Sequence, residues 1–349
     1  MTEALQTQPS RDSAAGVDTL LAEAWACRHE SVPRAEALLQ QALRAAQSID
    51  YRRGQAYAIL RLALCGHMRR QDPQLVDSSL QLALGMLREL QDRAGQAEAL
   101  NLQANLLSTS GRAEQALEVH RQALALRQAL NDRSGEAGSL LNMGNELLDL
   151  GRTQEAIDHV RQSMAAAREC GDTEGLAYAH NTLARAFRQL EDWPSALAAL
   201  DEALRLVRRT QVRALESTVM TQRGLVLHSL VRRQEARTCL DAALALAQAT
   251  GNQGDLIRVH QALGELSQDE PAHATEHLHQ ALLAARRVGD RDLEPLLLLQ
   301  LGHAQRAAGS HAAAVNLARE ALVLAEAGGY KDTAAQAQRL LDLMGAPRP

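Results

Sequence analysis

Histidines four residues apart on a helix share a face and can hold one metal ion. The densest such cluster is His273, Glu276, His277 and His279. No third ligand is placed by the sequence, and the segment reads as the second helix of a pair, so a surface helix is expected rather than a metal site. Glu155 and His159 share a face in the same way, and here too a solvated pair is expected over an acid–base couple. Nucleotide chemistry is excluded more firmly. Lys331 is the only lysine and Asp332 follows it, so no G-x-x-x-x-G-K-[ST] loop exists. The G-x-G-x-x-G, G-x-S-x-G and H-E-x-x-H patterns are also missing. Cys27, Cys65, Cys170 and Cys239 stand far apart with no C-x-x-C pair, which predicts small, buried or half-buried residues in a reducing compartment. No catalytic residue, cofactor or metal is expected.

The elements that would position any functional residue are set by a period. Ser139 to Ala156 reads SLLNMGNELLDLGRTQEA, with Gly144 and Gly151. Forty residues on, the frame returns around Ala184 and Ala196, and again around Gly224 and Ala236; forty back, it stands at Ala104 and Ala116. Self-similarity at a fixed period is the mark of a solenoid, in which each unit buries its apolar face only against its neighbours. The small residues at 104, 144, 184, 224, 264 and 302, with those at 116, 156, 196, 236, 274 and 314, fall where paired helices approach closely. The expected fold is all-α, a right-handed α-solenoid of about eight helix–turn–helix repeats over residues 17–331. Residues 1–16 are expected to be disordered, a capping helix to cover 332–344, and 345–349 to form a tail. Asp or Asn in the turns between repeats is expected to cap the next helix.

Bulk composition agrees with this frame. The 349 residues are 46% hydrophobic but only 2% aromatic, so the core must be Leu and Ala, as closely packed helices require. A net charge of -5 gives no general attraction to nucleic acid or anionic membrane, and neither is expected as a partner. The near-absence of lysine reads as the bias of a GC-rich genome. No stretch is long and apolar enough to span a bilayer, and the polar N-terminus shows no signal peptide, so a cytoplasmic protein is expected.

These small-residue lines resemble the tetratricopeptide repeat. The longer period of about 40 resembles the variety found in Pins-type adaptors, kinesin light chains and bacterial peptide-sensing regulators. The resemblance covers nearly the whole chain, although the first two pairs lack the Gly and the seventh is about two residues short. It implies that the first helix of each pair lines a concave groove. Three residues before and one after each small residue then give Asn101, Asn105, Asn145, Asn181, Arg185, Thr221 and Gln261 as peptide-contact candidates. The run LNMGN adds Asn142 by its likeness to the Pins-type lining. Tyr178, Arg188 and Arg258, one turn away on the same face, complete the set. Amides offer both donor and acceptor to an extended backbone. A merely solvated face is the competing reading. With Arg61, arginine outnumbers acid along this line, so an acidic segment held at helix pairs three to six is expected. The first expectation is a non-catalytic adaptor that binds a peptide or protein segment. The alternative is a regulator that senses a short signalling peptide through superhelix curvature. A homodimer through a terminal pair is left open.

Overall fold

The computed structural model describes residues 13–28, 31–69, 71–210 and 213–346. All regular elements among them are α-helices, seventeen in number. They form two compact units, the first running to Ala186 and the second starting at Phe187. In the first, α1 (Ala14–Cys27) pairs with α2 (Val32–Ser48), α3 (Arg52–Met68) with α4 (Pro73–Glu89), α5 (Arg93–Thr109) with α6 (Ala113–Ala129), and α7 (Arg133–Asp149) with α8 (Thr153–Cys170). Helix α9 (Thr173–Gln189) follows, and its last turn belongs to the second unit. That unit continues with α10 (Trp193–Thr210), the pairs α11–α12 (Arg213–Ser229, Arg233–Thr250), α13–α14 (Gln253–Leu266, Pro271–Val288) and α15–α16 (Glu294–Ala307, His311–Gly328), and ends in α17 (Lys331–Leu343). Within each unit, first helices also approach one another: α1 meets α3, α3 meets α5, α11 meets α13 and α15 meets α17. This stacking of consecutive helix pairs is an α-solenoid.

Small residues allow the pairs to close. A Cβ built on Gly144 would lie 2.7 Å from Val160 Cγ2 and 3.4 Å from the Ala156 carbonyl. One on Gly224 would meet Leu240 at 2.6 Å and the Ala236 carbonyl at 3.4 Å. The two lines of small residues seen in the sequence therefore face each other across the pair. Around them the core is built from Leu and Ala, such as Leu80, Ala83 and Leu87 in the first unit and Leu240, Ala243 and Leu263 in the second.

The caps follow the turn sequences. Asp92, Asp132 and Asp172 accept from the amides of Gly95, Gly135 and Gly175 at 2.9, 2.9 and 2.7 Å, and Asn252 accepts from Asp255 at 3.2 Å. Three turns differ from expectation, and in one of them Leu293 rather than Asp290 or Asp292 takes the N-cap place of α15, while Asp290 accepts from Leu293 N at 3.3 Å. Asp50 has φ 53 and leaves the N-cap place to Tyr51, and Tyr330 rather than Asp332 precedes α17. Helix α1 starts at Ala14, earlier than Val17, because the Ser13 hydroxyl accepts from Gly16 N at 3.1 Å. Residues 1–12 of the expected N-terminal segment and 347–349 of the tail lie outside the described residues.

Polar links join successive first helices and their turns at about one period of separation. Arg53 pairs with Asp92 at 2.8 Å, Arg185 with Asp149 at 3.1 Å, and Thr218 donates to Asp255 at 3.1 Å.

Candidate functional site

The amide face predicted on the first helices divides between the two units. In the first, Asn145 of α7 is the centre. Its Oδ1 accepts from Thr182 Oγ1 at 3.2 Å and from Arg185 Nη1 at 3.0 Å, both on α9. Arg185 Nη2 continues to Asp149 Oδ1 at 3.1 Å. With its oxygen held twice, the amide is oriented, and its NH2 has no acceptor among the described residues. Asn105, Asn142 and Tyr178 are half-buried on the same first helices. Asn181 is half-buried too, its Oδ1 enclosed without a donor.

Two predicted residues face elsewhere. Asn101 turns its amide toward α6, where its Oδ1 lies 3.2 Å from Nδ1 of the fully buried His120. Thr221 is only 3% exposed and its hydroxyl donates to Ser217 O at 2.8 Å, within its own helix. Counting from the small residue finds the helix face but not which of its members the neighbouring helix covers. In the second unit, Gln261 donates to Gln300 at 3.0 Å, Arg258 is held by Asp255 at 2.5 Å, and Arg188 donates to Gln222.

The expected excess of positive charge is offset by internal pairing. Arg61 is bidentate on Glu98, Nε to Oε1 at 2.9 Å and Nη2 to Oε2 at 3.2 Å. Arg185 and Arg258 each hold an aspartate as described. Such pairs spend the guanidinium's fork on the protein's own carboxylates and leave little net charge for a partner.

Four residues escape the spacing argument. Trp25 and Arg28 end α1, where no Gly marks the frame; the rarity of tryptophan was the only signal. The Arg28 guanidinium lies 3.9 Å from the Trp25 ring centroid, and that of Arg61 lies 4.6 Å from the same ring. His120 is held near pKa 4 by burial, with nearby Arg127 adding to the effect. Glu146 is buried on α7 and its carboxyl is pushed up, chiefly by burial; its hydrogen bond to Ser108 works the other way. A charged residue inside the apolar run ELL was its trace in the sequence.

The histidine cluster does not converge. His277 Nδ1 lies 3.2 Å from Nδ1 of His260 on α13, whereas His273 pairs with Glu270. No group of three potential ligands occurs among the described residues. His159 Nδ1 meets the Glu155 backbone oxygen at 3.0 Å while the Glu155 carboxylate holds Arg152, so they form no acid–base couple. Cys27, Cys65 and Cys239 are buried and Cys170 is exposed, all as thiols. No described helix is long and apolar enough to cross a membrane.

Comparison with known proteins assigns the class. Residues 99–134 and 135–209 match models of the tetratricopeptide repeat. With the paired helices above, the fold is an α-solenoid of tetratricopeptide-type repeats. No curated protein matches it in sequence. Among solved structures it is similar to a Rap protein complexed with competence and sporulation factor, at 14% identity and TM-score 0.66 over 95% of this chain and 98% of that one. It is also similar to the tetratricopeptide-sensor STAND protein of Pyrococcus horikoshii, at 13% identity and TM-score 0.63 over 98% of this chain and 51% of that one. Aspartyl phosphate phosphatase F of Bacillus subtilis gives 16% identity and TM-score 0.54 over 98% and 95%. At such identities the likeness is one of fold.

Proposed function

We propose that the chain is a non-catalytic scaffold that binds an extended peptide segment along the face built by its first helices. The observation that carries this reading is the Asn145 amide. Its oxygen is fixed by Thr182 and Arg185, so its NH2 is set in advance to donate to a peptide carbonyl. Asn105, Asn142, Tyr178, Asn181 and Arg185 belong to the same surface of the first unit. Arg188, Arg258 and Gln261 extend the reading separately to the second. Nucleic acid and membrane have no part in it, and free buried thiols suit a reducing cytoplasm.

A second reading, a regulator that responds to a short signalling peptide, is favoured by the likeness to a Rap protein crystallised with competence and sporulation factor. The two differ in what binding does. A sensor changes its dimensions on binding, measurable as radius of gyration by solution scattering, whereas an adaptor keeps them.

The test of peptide binding is selection of a random nonapeptide library on the full chain, followed by dissociation constants for the retained peptides. Asn145→Ala is expected to weaken them about fivefold to tenfold, the worth of one or two backbone hydrogen bonds. Retention of the same peptides at unchanged affinity by Asn145→Ala, and by a variant that also carries Asn105→Ala and Arg185→Ala, would remove this face from the function.

A further inference from the structure

Arg28, beside the first-helix face of the first unit, has no described carboxylate in ion-pair contact. Arg28 Nη1 donates to the Trp25 carbonyl at 2.5 Å and the guanidinium stacks on the Trp25 ring, but it makes no ion pair with a described residue. Its neighbour Arg61 is fully engaged, with Glu98 on one side of the fork and the Leu21 carbonyl at 3.0 Å on Nη1. Glu174 and Tyr178 on α9 act on Arg28 across a gap and favour its charge, yet burial outweighs them and lowers its pKa. A guanidinium partly stripped of water and without a carboxylate in direct contact gains from one brought onto its donors.

The aromatic residues point to the same place. The chain has two Trp, four Tyr and one Phe. Trp25 and Tyr57 flank Arg61, and Tyr178 acts on Arg28. A core of Leu and Ala does not need an indole here, and Trp25 remains 36% exposed. A half-exposed tryptophan beside a cation is a platform for an apolar side chain.

Resting on the reading of this face as a peptide site, we propose that Arg28 and Trp25 form an anchor for a peptide carboxylate. Arg28 receives the two carboxylate oxygens on its fork of donors, and Trp25 packs the adjoining apolar side chain. Glu98 and Glu174 close by repel any incoming anion, a doubly charged phosphate more than a singly charged carboxylate, so the carboxylate is the better-fitting group. That carboxylate is either a peptide's C-terminus or an Asp or Glu side chain.

Two pentapeptide mixtures separate these sources: one with free C-termini and no Asp or Glu, the other amidated and carrying one Glu. Each is titrated onto the full chain and onto Arg28→Gln. At least one mixture is expected to bind wild type and to weaken about tenfold to a hundredfold with Arg28→Gln, the worth of one charged, bidentate pair. Arg28→Lys should fall between, and Trp25→Ala should weaken binding where Trp25→Phe does not. Should Arg28→Gln lower the thermal midpoint, Arg28→Lys decides. Binding of a mixture to Arg28→Gln and Arg28→Lys as tight as to wild type overturns the anchor and leaves the peptide face standing. So does failure of both mixtures while the nonapeptide library still yields ligands. Absence of any peptide ligand overturns both.

Discussion

Acid should weaken the first unit through His120. Its Nδ1 sits 3.2 Å from the Asn101 oxygen, so the neutral ring carries its proton on Nδ1, and Nε2 is buried with no partner. Protonating Nε2 would place a charged N–H where nothing accepts it. Burial accordingly holds the ring near pKa 4, against about 6.5 in the unfolded chain. Because the folded pKa is depressed, the unfolded state binds more protons below pH 6.5. Stability is therefore complete above that pH and is lost as pH falls toward 4. A difference of about 2.5 pKa units corresponds to roughly 3 kcal/mol once both states are protonated, and to about 2 kcal/mol at pH 5. His120→Asn keeps a donor near the Nδ1 place and removes the titration. Urea unfolding followed by helical signal, at pH 7.5, 6 and 5, should show wild type losing about 2 kcal/mol more than His120→Asn over this range. Equal losses in the two proteins, or an NMR titration placing His120 near 6.5, would refute the argument.

Other consequences follow from close contacts and turns. Val231 holds φ 61 at a turn where Gly111 and Gly151 stand in the equivalent places, and it is 79% exposed. Val231→Gly should raise stability by about 1 kcal/mol, since a branched side chain strains that conformation; calorimetry reads this directly. Gly144→Val should cost about 1–3 kcal/mol by pressing on Val160, and Val160→Ala should recover part of that loss in a double-mutant cycle. His260 should titrate near 4, held down by burial and then by His277. His277→Ala should move it part of the way back toward 6.5 by NMR, and an unmoved value would show that the ring contact carries no charge coupling.

The fold was legible because one period fixes both the helices and their contacts. Gly144 and Gly224 meet Ala156 and Ala236 as a forty-residue frame requires. The site was less legible, for a physical reason. A position on a helix face says which way a side chain leaves its own helix and not what the next helix brings to it. Asn101 and Thr221 occupy equivalent places to Leu141 and Asn181, yet His120 claims the first and the packing of α11 encloses the second. Charges carry the same uncertainty. Arg61, Arg185 and Arg258 look free in sequence because their acidic mates are remote or lie off the counted positions. Arg28 was invisible because the first pair lacks the glycine that starts the count.

The polar links between successive first helices bear on how such a chain can lengthen. Arg185 of one period closes on Asn145 and Asp149 of the period before it. Suppose a tandem duplication copies residues 133–172 as a block. Arg185 then keeps a partner in the new copy, but the original Asp149 now faces a second Asn145 where an arginine stood. The copied segment is whole as a folding element and incomplete at its border. Each added period therefore leaves one interface without its arginine, and the order of periods along the chain is marked by these pairs between successive first helices.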